Sequence, residues 1–215
     1  MLAKLSLQVY GCDMPAKKDG DDRPADELNI HMVDTRTLRA LAHPLRLRLL
    51  NALREFGPAT ASGLADRLGE SSGATSYHLR QLASNGFVED DPERGKGRER
   101  WWRAVHAGTA FNTGLFVNHP DPDVRGAVGV VLHEIADNHA QELSTWLGTM
   151  HEWPEEWHRA WEASDFKLRL TPDLSAELIT KMHELIESYR DRVPEGTEGA
   201  VTVRSHLHLF PRPTD

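Results

Sequence analysis

The sequence predicts a mainly α-helical chain with a small β component, an α+β fold, and three observations carry that prediction. From Asp34 to about Asn85 the apolar residues fall at helical spacing. Phe87 to Val105 then reads as two short strands around a charged, glycine-bearing turn. Beyond residue 120 a long amphipathic pattern returns, with Val124, Val128, Val131, Ile135, Leu143, Trp146 and Met150 near one face.

Composition bounds the answer before any motif is read. The chain has 215 residues, 39% apolar and 27% charged, which suits one large or two small globular domains and excludes a disordered class. The longest apolar stretch apart from its glycine, Ala127 to Leu132, is far short of the roughly 20 residues that cross a bilayer. Met1 to Tyr10 carries Lys4, Ser6 and Gln8 and lacks a small-residue cleavage site, so no secretory signal is read there and a cytoplasmic location is expected. Cys12 is the single cysteine, which excludes an intrachain disulfide and any multi-thiolate metal site within one chain.

The elements follow in order. Leu5, Leu7 and Val9 alternate with Ser6 and Gln8, the pattern of a half-buried strand or of a floppy leader, and Gly11 to Glu27 reads as a flexible link. Residues 1–33 therefore form an N-terminal extension. Thr35 to Ala42 predicts a first helix. Pro44 opens a second, which runs through Leu45, Leu49, Leu50 and Leu53 to about Glu55 before Gly57 and Pro58 stop it. Thr60 caps a short helix, Ala61 to Leu68, which Gly69 ends in a left-handed conformation. Ser71 caps the next, Ser72 to about Asn85, with Thr75, Leu79 and Leu82 inward and Gly86 as its stop. Two helices three residues apart make a helix-turn-helix, and the hairpin of Phe87–Asp90 and Arg98–Val105 makes a wing.

Toward the C-terminus, Pro154 interrupts or restarts the long helix, and Trp153, Trp157 and Trp161 recur at helical spacing on one side of a further helix. Phe166 to Leu170 alternates like a strand. Pro172 to about Arg190 predicts a helix with Leu174, Leu178, Met182, Leu185 and Tyr189 inward, and Ala200 to Phe210 alternates again, giving a small C-terminal β-α-β module.

Charge is uneven along this plan. Net charge is −8, yet residues 34–105 hold 12 Lys/Arg against 9 Asp/Glu, while 106–215 hold 9 against 18. Such asymmetry is expected when one part meets phosphate and the other does something else.

The stretch LGESSGATSYHLRQLASNGFV, Leu68 to Val88, resembles the recognition half of ArsR-type winged helix-turn-helix transcription regulators. LRALAHPLRLRLLNAL resembles the same family's opening helices, with its Ala-His-Pro-Leu-Arg run at Ala42 to Arg46. The resemblance covers about residues 34–105 and implies a DNA-binding domain there. Physical reasoning points the same way: a helix entering the major groove needs small polar side chains at its first turns, and its N-terminal amides attract phosphate. Ser71, Ser72, Gly73 and Ser76 are small, and Tyr77, His78 and Arg80 extend outward after them. The wing adds Arg94, Lys96, Arg98 and Arg100, suited to a minor groove or flanking phosphates and partly offset by Glu93 and Glu99. Alternation points one of Trp101 and Trp102 inward.

A single winged helix reads too few base pairs for genomic specificity, so a homodimer on a pseudo-palindromic operator in double-stranded DNA is expected. The helix from about Val124 to Met150 is its natural dimerisation element, within a helical region, 106–215, that also has room to sense an effector. Trp146, Trp153, Trp157 and Trp161 either line a cleft for a small organic effector or pack as core. His133, Asp137 and His139 on one helix are candidate metal ligands, with His151 one place late for the family's pattern. His206 and His208 share a face and are able either to chelate or to sit in solvent. His133-Glu134-x-x-Asp137 lacks the second histidine of the zinc-protease motif, and with no phosphate loop or nucleophile elbow the chain reads as a non-enzyme without a cofactor. The alternatives are a metal-responsive regulator and a winged-helix module that binds protein.

Overall fold

The computed structural model describes residues 8–10, 29–94, 99–190, 192–194 and 196–213. The chain divides into two compact units, Met1–Asn138 and His139–Asp215. In the first, Asp34 and Thr37 form a reciprocal capping box that opens α1, Thr35–Leu41. The backbone and side-chain hydrogen bonds from Thr37 hold the Asp34 carboxyl below its usual range. His43 then caps α2, Pro44–Phe56, whose first position is the proline that the missing N–H suits. A two-residue strand β3, Ala59–Thr60, leads into α3, Ala61–Leu68, and Gly69, at φ 68°, ends that helix in the left-handed region. Ser71 caps α4, Ser72–Ala83, as its sequence requires.

The hairpin strands β4, Val88–Asp90, and β5, Trp101–Ala104, pair antiparallel with Val88 opposite Ala104 and Asp90 opposite Trp102. β3 closes the other edge of β5, so the sheet order is β3-β5-β4. Both strands are shorter than their alternation predicts, and the second begins at Trp101 rather than Arg98. One core joins Leu38, Leu41, Leu49, Leu50, Leu79 and Phe87 with Val124, Val128 and Val131 from the start of α6, Pro122–Thr149. The buried Arg54 donates through Nε to the His106 carbonyl at 3.1 Å and through Nη2 to the Thr109 hydroxyl at 2.6 Å. Burial pushes its guanidinium down to about 10, so it stays charged at neutral pH.

A second sheet was not evident from sequence. β6, Gly108–Asn112, carries β1, Gln8–Tyr10, on one side and β2, Ile30–Met32, on the other, both parallel to it. The alternation at Val9 thus belongs to a strand, while Leu5, Leu7 and the link Gly11–Glu27 lie outside the described residues. Gly108 to Phe111 is buried continuously, so it has no period-two signature to read. A short helix α5, Thr113–Val117, follows it, capped by Asn112.

The second unit departs further from expectation. Phe166–Leu170 and Ala200–Phe210 form no strand among the described residues, so the β-α-β module is corrected to one helix, α8, Pro172–Glu187, between extended segments. Alternation marks a strand only when a neighbouring backbone supplies the ladder, and here Phe166 stays 79% and Val203 67% exposed. The inward face of α8 is also corrected: Leu174, Leu185 and Tyr189 are exposed, and the more sheltered side runs through Leu178, Ile179, Met182 and His183. Nor does one helix carry three tryptophans. After a 3-10 turn, Met150–Glu152, the proline at 154 can only start a helix, and α7, Glu155–His158, ends when His158 Nε2 meets the Met150 carbonyl at 2.8 Å. Among the described residues no helix is long and apolar enough to cross a membrane.

Candidate nucleic-acid interface

The first turn of α4 is a slim polar tip held on a rigid base. Ser71 Oγ accepts the Ala74 N–H at 3.2 Å, satisfying one of the amide groups that a helix start leaves open. Ser71, Ser72, Gly73, Tyr77 and Arg80 are exposed and Ser76 is half-buried, while Thr75, Leu79 and Leu82 are fully enclosed. That partition is the one the 100° spacing predicts. Arg80 Nε donates back to the Ser76 carbonyl at 3.0 Å, which leaves the rest of its guanidinium on the exposed side of α4.

On the wing, Arg94 lies 3.6 Å from Asp91 and Arg100 lies 2.9 Å from Asp90, with the Arg100 guanidinium 4.2 Å above the Trp102 ring. Exposed pairs of this kind contribute about 0–1 kcal/mol, so exchanging the carboxylate for a phosphate costs little. Trp102 is the buried member of its pair and Trp101 is half-buried. Lys96 and Arg98 lie outside the described residues.

His78 does not extend outward. It is half-buried, and its ring centroid lies 4.2 Å from that of His43 at the start of α2. This contact, with the half-buried Arg46 nearby, ties α4 to the Ala-His-Pro-Leu-Arg segment. The sequence signal was present: three positions after Thr75 puts His78 at the margin of the inward face. Burial, then Arg46, lowers the His43 pKa; burial, then His43 and Arg46, lowers that of His78. Glu70 acts in the opposite direction on both, and Glu134 on His43. His43 Nδ1 accepts the Leu45 N–H at 3.2 Å, a cap available only to the unprotonated nitrogen.

A depressed histidine pKa makes protonation favour the unfolded chain. The stability these rings contribute is therefore present above about pH 6.5 and lost as pH falls. His43→Asn keeps a capping acceptor and removes one titration, so thermal melts between about pH 7 and pH 5 should show a shallower loss than the parent. Equal slopes would show that the His43 ring is not responsible.

In the second unit Trp146 and Trp153 meet edge to face at 5.8 Å between centroids, Trp146 and Trp161 at 6.3 Å, and Trp153 and Trp157 at 6.3 Å. The four tryptophans do gather, by chain reversal at Pro154 rather than along a helix. His133 Nδ1 meets the Gly129 carbonyl at 2.8 Å, within its own helix. Among the described residues no group of three or more His, Cys, Asp or Glu side chains is arranged to hold a metal ion, so the set His133, Asp137 and His139 is not assembled.

Residues 41–91 match a family model described as a helix-turn-helix domain, and the wing completes the arrangement around them. The chain carries a helix-turn-helix domain flanked by a wing hairpin. Among solved structures, the winged domain is similar to reduced HlyU from Vibrio cholerae, 24% identical over 33% of this chain and 72% of that one, with a TM-score of 0.28. The homodimeric winged helix-turn-helix DNA-binding domain of Mb0332 from Mycobacterium bovis, a possible ArsR-family regulator, is 23% identical over 60% and 95%, with a TM-score of 0.30. The antimony-specific transcriptional repressor AntR is 25% identical over 59% and 97%, with a TM-score of 0.32. No curated protein matches the chain significantly.

Proposed function

We propose that the chain acts as a homodimer that reads a pseudo-palindromic operator through paired α4 helices. Residues 34–105 contact DNA, and 106–215 dimerise and sense a small organic effector. The observation that carries this reading is the partition of α4: an exposed tip of Ser71, Ser72 and Gly73 over an enclosed Thr75, Leu79 and Leu82. Dimerisation is assigned to α6, which runs 28 residues and leaves Val130, Leu143 and Leu147 exposed along it. The effector is assigned to the tryptophan cluster, where the Trp146 indole N–H is buried and has no hydrogen-bond partner among the described residues. A ligand offering an acceptor and an apolar ring would satisfy it.

Selection of bound fragments from random duplex DNA tests the reading directly. The expected product is an inverted repeat with half-sites about one helical turn, roughly 10 bp, apart. Binding to it should weaken steeply with salt and fall about tenfold in Arg80→Ala. Equal affinity for the selected repeat and for random duplex would instead favour a module that binds protein.

A further inference from the structure

The unit His139–Asp215 holds a cluster of imidazoles that the DNA-binding reading does not use. His139 lies on α6, while His206 and His208 sit on the extended C-terminal segment. The His139 and His206 rings stack with 3.8 Å between centroids and 10° between planes. His139 Nδ1 lies 3.1 Å from His208 Nε2. Glu142, three residues along α6 from His139, lies with a carboxylate oxygen 2.9 Å from His206 Nε2 and 3.3 Å from Arg204.

Two imidazole nitrogens at that separation share one proton, one donating and the other accepting. Burial, followed by His206 and His208, pushes His139 down to about 4, and burial also lowers His206. The uncharged imidazole is the form that ligates. At zinc–nitrogen bonds of about 2.0–2.1 Å, neighbouring ligand nitrogens stand roughly 3 Å apart, so the observed spacing already matches a chelate.

We propose that His139 Nδ1 and His208 Nε2 form a two-point site for a borderline divalent metal ion such as Zn2+, with water completing the coordination shell. The ion takes the place of the shared hydrogen, which moves to the other nitrogen of its own ring by a change of tautomer, so both ligands stay neutral imidazoles. His206 stacked on His139 holds that ring in place, and the Glu142 carboxylate places negative charge beside the site against the positive charge of Arg204. Imidazole pairs favour Zn2+, Ni2+ and Cu2+, whereas Mg2+ prefers oxygen. This site differs from a set within α6, because it joins that helix to the C-terminal segment.

Calorimetric titration of the tag-free full chain with ZnCl2, and separately with MgCl2, tests the proposal. Zn2+ should bind and Mg2+ should not. His139→Ala and His208→Ala should each weaken the Zn2+ site by at least about tenfold. His133→Ala and His183→Ala should leave it unchanged. His208 is exposed on an extended segment, so its loss leaves the fold standing, which circular dichroism checks. Unaltered Zn2+ binding in His208→Ala overturns the proposal, and so does equal loss in His133→Ala. Neither result depends on whether DNA is read as proposed, since no DNA is present.

Discussion

Leu79→Ala is expected to lower the unfolding free energy by about 2–5 kcal/mol, the range for deleting a fully enclosed leucine. Leu79 has no exposed surface and belongs to the cluster where α4 meets α1, α2, α3 and β4. The neighbours come from separate elements and cannot all move into the space left behind, so most of the cavity cost remains. Urea melts should show an earlier midpoint with an unchanged slope. A loss below about 1 kcal/mol would mean that α4 does not depend on this contact.

Gly73→Glu should do the reverse, sparing the fold and removing DNA binding. A Cβ at Gly73 meets no atom within 4 Å, so the backbone does not demand glycine there. Gly73→Ala should stabilise the helix by about 0.5–1 kcal/mol, and a glutamate in the first turn is further favoured by the helix dipole. The same carboxylate would stand between the tip and the phosphates, at a cost of several kcal/mol, so affinity for the operator should fall by at least about a hundredfold. A raised melting temperature with unchanged DNA affinity would remove the tip from the interface.

What the sequence made legible follows from where local signals agree with tertiary ones. Gly69, Ser71, Thr75, Leu79, Leu82 and Gly86 each state one feature of α4 or its turns, and the structure honours every one: the glycines at φ 68° and 77°, the serine as cap, and the other three inward. β6 was hidden because burial of both faces erases the alternation, and β2 because three residues are too few to make a pattern. The C-terminal alternation misled because Phe166, Leu168 and Leu170 are apolar without a partner strand to receive them. His78 was misplaced by its polarity, since an uncharged imidazole packs at the edge of a core as readily as it faces water. The tryptophans were found as a group but for the wrong geometric reason, a helix where Pro154 makes a reversal.

The parallel sheet makes the N-terminal extension structural. β6 is gripped along both edges by residues from the first 33, and the Val33 N–H reaches the Ala110 carbonyl at 3.0 Å. A shortened version beginning at Asp34 would keep the whole helix-turn-helix yet strip β6 of both neighbours, leaving a row of unsatisfied amides and carbonyls on an apolar strand just ahead of α5 and α6. Such a chain would be adhesive, and trimming to the family-matched segment is the wrong way to prepare this protein.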